Sequence, residues 1–79
     1  MAKDERTFPE IWNSLTQAQQ EELRDQILTK TGASSNTFWF WKKGAANPAS
    51  RTDRQVISGL VGKYLNISTA PATLFPRKR

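Results

Sequence analysis

Neither cysteine nor histidine occurs among the 79 residues of this chain. The first absence excludes disulfides, a thiolate zinc site and a cysteine nucleophile. The second removes the commonest general base and a common metal ligand. The glycines at 32, 44, 59 and 62 build no phosphate-cradling loop. The acids Glu21, Glu22 and Asp25 lie beside Arg24 in a pattern that reads as a solvated helix face, and Asp53 reads as a helix-start charge. Catalysis, a cofactor and a bound metal are therefore not expected. No apolar run approaches the roughly 20 residues that a membrane span needs. Met1–Arg6 is charged and leads into no hydrophobic stretch, so a signal peptide is not expected either. The expected location is the cytoplasm, with no membrane partner and no small-molecule substrate implied.

What is present is basic and unevenly so. The formal net charge is +5. Residues 1–25 hold Lys3, Arg6 and Arg24 against Asp4, Glu5, Glu10, Glu21, Glu22 and Asp25, a balance of −3. Residues 26–79 hold nine Lys or Arg against Asp53 alone, a balance of +8. A basic two-thirds beside an acidic first third points to an anionic partner for one surface, although the same charge can serve solubility alone. A chain of this length suits one domain with a modest core. Its folded part is expected over 7–76, with 1–6 and 77–79 flexible.

The periodicity predicts helices throughout. Phe8, Ile11, Trp12 and Leu15 recur at helical spacing, with Pro9 suited to the first helical position. Thr16 and Gln19 form a capping box that opens a helix from Gln17 to about Thr31, stopped by Gly32. Ser34 or Ser35 can cap a third helix, Asn36–Lys43, stopped by Gly44. A loop, Ala45–Ser50, follows, in which Pro48 pushes Asn47 out of the helical region. Thr52 is the expected cap of a fourth helix through Leu65, with Val56, Ile57, Leu60, Val61, Tyr64 and Leu65 on its apolar face and Asn66 as its stop. A last short turn, about Ala70 to Leu74, brings Leu74 and Phe75 to the core, and Arg77–Lys78–Arg79 is a basic tail. Alternating strand patterns and hairpin signals are missing. The expected class is all-α, four helices plus a final short helical turn, with no sheet.

The densest signal is Phe38–Trp39–Phe40–Trp41, followed by Lys42–Lys43–Gly44. Successive helical residues turn by about 100°, so four rings in a row cannot share one face. Phe38 and Trp41, at i and i+3, can enter a core together. Asn36, Trp39, Phe40 and Lys43, at i, i+3, i+4 and i+7, then share another stripe. That stripe combines a bidentate-capable amide, two flat apolar rings and a cation, a mixture suited to reading a DNA groove rather than to catalysis.

A helix, a glycine, a short turn, a capped helix, and an aromatic two places before Lys-Gly resemble the helix-turn-helix of the lambda-repressor-like (Cro/repressor type) DNA-binding domains of bacteria and phages. The segments that carry the resemblance are Leu28–Phe38, Trp39–Gly44, Asn47–Pro48, Gly59–Asn66 and Leu74–Pro76, within roughly residues 17–76. The resemblance implies a helix about 36–43 in the major groove of double-stranded DNA. It places Phe38 and Trp41 at buried positions, Ser35, Asn36, Trp39, Phe40 and Lys43 at DNA-facing ones, and the loop with Asn47, together with Arg51, near a phosphate backbone. A homodimer or a protein partner is compatible with it. Leu28 and Thr31 depart from the family's usual small Ala and Leu, which would alter the helix crossing. Trp39 and Phe40 depart from its usual polar readers, and the segment from Asn66 to Leu74 is about two residues longer than common.

Each residue also has a plainer reading. Asn36 can be a solvated residue near a cap, and Lys43 a cation in a last helical turn. Trp39 or Phe40 can be core, packed on Trp12 or Tyr64. The pair can equally serve a protein-interaction module built on the same scaffold.

Overall fold

The computed structural model describes residues 4–76. Its helices are α1 (Phe8–Ser14), α2 (Gln17–Thr31), α3 (Ser35–Lys43), α4 (Arg51–Leu65) and α5 (Pro71–Leu74). No strand occurs among the described residues. The basic tail Arg77–Lys78–Arg79 and the first three residues lie outside them. Asp4–Arg6, grouped by sequence with a flexible lead-in, are tied back. The Asp4 N–H donates to the Ser68 carbonyl at 2.7 Å, and the Arg6 guanidinium pairs with Asp4 at 2.7 Å and reaches Ser14 Oγ at 3.3 Å. The long segment after Asn66 is what offers that carbonyl.

Caps and stops follow local chemistry. Gly32 (φ 73°), Gly44 (φ 77°) and Asn66 (φ 55°) hold the left-handed conformation and end α2, α3 and α4. Thr16 and Gln19 close the capping box reciprocally, at 3.2 and 3.0 Å. Of the two candidate serines, Ser34 caps α3, its Oγ accepting the Thr37 N–H at 3.2 Å. Two starts differ from the sequence expectation. Ser50, not Thr52, caps α4, accepting the Asp53 N–H at 3.4 Å. Starting there adds helical residues and sets Asp53 in the first turn, where its charge favours the positive end of the helix dipole. In α1 the cap is Thr7, whose N–H and hydroxyl donate to the Glu10 carboxylate at 2.9 and 3.0 Å. Pro9 is thus the second helical residue, where a missing N–H still costs nothing.

One core joins the helices. α2 packs on α4, while α1 and α5 close over α3 and α4. Phe8, Ile11, Trp12, Leu23, Ile27, Phe38, Trp41, Ile57, Val61, Leu74 and Phe75 are all buried in it. Phe8 is its hub, with ring centroids 6.0 Å from Phe38, 6.0 Å from Trp12 and 5.4 Å from Phe75. Full burial of one such side chain stabilises by about 1.5–3 kcal/mol, and a well-set aromatic pair adds about 0.5–1.5 kcal/mol. Leu28, the larger residue noted at the helix crossing, is half-buried against this cluster. Thr31 meets its polar needs locally, donating to the Ile27 carbonyl at 2.7 Å and accepting from the Ala33 N–H at 3.3 Å. Tyr64 of α4 donates to the Glu22 carboxylate of α2. That bond raises the Tyr64 hydroxyl's pKa, because the neutral form is the donor.

Candidate nucleic-acid interface

α3 is anchored by the first and last residues of its aromatic run. Phe38 and Trp41 go inward, 1% and 5% exposed, with rings edge-on at 6.3 Å. Trp12 meets Phe38 at 5.0 Å from the α1 side. Trp39 and Phe40 are forced outward by the helical turn and are 45% and 40% exposed. The alternative in which one of these rings packs on Trp12 or Tyr64 does not hold. Their aromatic partners are each other, at a centroid distance of 5.1 Å and an interplanar angle of 85°. With Phe38 and Trp41 committed to the core, the helical turn carries Trp39 and Phe40 away from it, and no other described element fully covers them.

The outward stripe is completed at its two ends. Asn36 stands exposed in the first turn. Lys43, in the last turn, is exposed and holds its Nζ 5.2 Å from the Trp39 ring centroid, within cation–π range. Two lysines at this end also suit the negative pole of the helix dipole. Lys42 turns the other way, with its Nζ 6.0 Å from the Trp12 ring. From residue 33 to residue 52 the chain carries Lys42, Lys43 and Arg51 and no acid.

The remaining sequence-nominated residues are placed differently. Ser35 is exposed but engaged, since Arg24 of α2 donates an Nη2–H to its Oγ at 2.7 Å. Asn47 is exposed, and its amide donates to the Pro76 carbonyl at 3.1 Å, tethering the chain after α5 to the α3–α4 loop. Arg51 is the first residue of α4 and is exposed. Phe40 and Asn47 line one open groove of about 450 Å³, together with Thr37 and Ser50. Asn47 and Arg51 line the next groove, with Arg54 and Phe75. Asn47 therefore links α3's stripe to the start of α4, without itself belonging to the stripe.

Arg24 is the residue that sequence reasoning missed here. Its neighbours in sequence are acids, and it does approach Asp25 at 4.0 Å. Its stronger contact crosses to the next helix, eleven residues on, and no local pattern signals that. Among the described residues, no helix is long and apolar enough to cross a membrane. Comparison with protein-family models, with curated proteins and with solved structures finds no match to this chain.

Proposed function

We propose that this chain is a small sequence-specific binder of double-stranded DNA, a bacterial or phage transcriptional regulator built on a lambda-repressor-like helix-turn-helix. In this reading α2, the turn at Gly32–Ser34 and α3 are the motif, and α3 enters the major groove. The observation that carries the proposal is the outward stripe of Asn36, Trp39, Phe40 and Lys43 on a helix whose other face is locked into the core. Nine residues at 1.5 Å each make α3 about 13 Å long, enough to follow three to four base pairs of axial rise. Asn36 lies nearest the helix N-terminus, where base edges are met in this class of motif, and its amide can pair bidentately with adenine. Lys43 and Arg51 then serve phosphates, with Arg24 fixing Ser35 at the junction of the two helices.

The test is binding to duplexes selected from a randomised library, titrated over a salt series. Affinity should fall steeply with salt, as phosphate neutralisation requires. Asn36→Ala should relax sequence preference at a cost of about 1–3 kcal/mol on the selected site. Lys43→Ala should weaken all duplexes equally and lower the salt slope by about one. Uniform losses in both variants would refute base readout by this stripe. The two exposed rings favour a second reading, a module that docks a protein partner through Trp39 and Phe40. A failure to select any duplex would leave that reading in place.

A further inference from the structure

The stripe on α3 is unusual in what it can recognise. Asn36 offers a donor and an acceptor, and Lys43 offers donors only. Between them, Trp39 and Phe40 expose apolar ring surface. Apolar ring surface does not read the donor and acceptor pattern of a base edge. The major groove presents one apolar group, the C5-methyl of thymine. The two rings stand edge to face, 85° apart, and so form an apolar corner rather than a flat plate. The Lys43 ammonium lies over the Trp39 ring, which holds that ring in place and sets a cation beside the corner. Lys42, Lys43 and Arg51 accompany the stripe with no acid between residues 33 and 52, and Asp53 is the one acid lining the groove beside Phe40, so the surroundings are net basic and suit a polyanion.

We infer that Trp39 and Phe40 read thymine methyl groups, so that the preferred duplex carries thymine one or two steps from the adenine met by Asn36. The inference rests on the DNA-binding reading above. The spacing comes from the helix. Three to four residues advance α3 by about 4.5–6 Å, between one and two base-pair steps of 3.4 Å. The rings thereby supply selectivity for A·T pairs that the family's usual polar readers would obtain through hydrogen bonds.

The experiment changes the DNA before the protein. The full chain selects a duplex from a library with a randomised centre. Each thymidine of the selected duplex is then replaced in turn by deoxyuridine. That removes the methyl and leaves every charge and hydrogen-bonding group in place. At one or two positions affinity should drop about fourfold, the factor expected from one methyl group no longer buried. Trp39→Ala and Phe40→Ala should each shrink that penalty, with the salt slope unchanged and a cooperative thermal melt retained. If a duplex is selected but no deoxyuridine matters, methyl readout is wrong while DNA binding stands. A penalty that persists in full in both alanine variants also overturns it, by assigning the methyl contact elsewhere. If no duplex is selected above background, the DNA-binding reading fails and takes this inference with it.

Discussion

Replacing Trp41 with alanine is the sharpest check on how α3 is held. Trp41 is 5% exposed and sits edge-on to Phe38, itself 1% exposed. Removing a buried tryptophan side chain costs about 3–5 kcal/mol, since the lost transfer energy is joined by the cavity left behind. Some of that loss is the aromatic pair with Phe38, worth about 0.5–1.5 kcal/mol. At about 0.05–0.15 kcal/mol per residue, a chain of this size has roughly 4–12 kcal/mol in all. Trp41→Ala therefore removes between a quarter and all of the stability. At about 4–8 °C per kcal/mol for a domain of this size, the melting temperature should fall by at least about 12 °C. The control is its neighbour. Trp39→Ala deletes the same side chain from a half-exposed position, where the pair with Phe40 and the Lys43 contact are what is lost, and should cost no more than about 1–2 kcal/mol. Far-UV circular dichroism melts and urea titrations of the parent and both variants supply the numbers. Equal losses in the two variants, or a Trp41→Ala melt within a few degrees of the parent, would refute the inward and outward assignment of the aromatic run.

Two further outcomes follow from the caps. Gly32→Ala should cost about 1–2 kcal/mol, the penalty of a side chain in the left-handed conformation, because a Cβ there meets nothing within 4 Å. Gly44→Ala should cost more in the same urea titration, because its Cβ would in addition lie 3.1 Å from Pro9 Cγ; equal costs would mean that α1 yields freely. The Glu10 carboxyl is held below its ordinary value of 4.5 by the N–H and hydroxyl of Thr7. A depressed folded pKa contributes stability that is present above 4.5 and is lost as pH falls through the lowered value. Stability of Glu10→Gln should accordingly fall less steeply below pH 4.5 than that of the parent, and identical slopes would remove Glu10 from the acid sensitivity.

Most of the fold was legible because it is written in short-range chemistry. The stops at Gly32, Gly44 and Asn66 and the Thr16–Gln19 box each depend on residues a few positions apart. Phe38 and Trp41 could be assigned to the core from i,i+3 spacing alone. The errors arose where two residues compete for one role. Ser50 and Thr52 are both good caps, and only the structure shows that the earlier one is used. At α1, Pro9 suits either of the first two helical positions, so Thr7 and Phe8 compete as the cap. In the candidate site, Asn36 and Lys43 could be named from spacing. The Arg24–Ser35 and Asn47–Pro76 hydrogen bonds could not, since they join residues 11 and 29 positions apart. The fate of Trp39 and Phe40 was open for a related reason. Periodicity says which residues share a face, but a third face of the same helix can be solvent or another element.

The exposed pair is where stability and function separate. A domain this small is limited by the apolar surface it can bury. Leaving two large rings 45% and 40% exposed forgoes part of that burial and risks self-association. Neither ring caps α3 or fills a gap in the core, because Ser34, Gly44, Phe38 and Trp41 already do so. Packing uses the covered part of each ring, as along the groove where Phe40 lies with Ala33, Trp41 and Ala46. The exposed part suits a partner that meets flat apolar surface beside a cation. An apolar protein groove meets the first condition, and one with an acidic rim meets both. Duplex DNA also meets both, with thymine methyls for the rings and phosphates for Lys43. Substituting deoxyuridine for thymidine separates the two more sharply than any truncation of the rings, because it alters the DNA alone and leaves the protein surface unchanged.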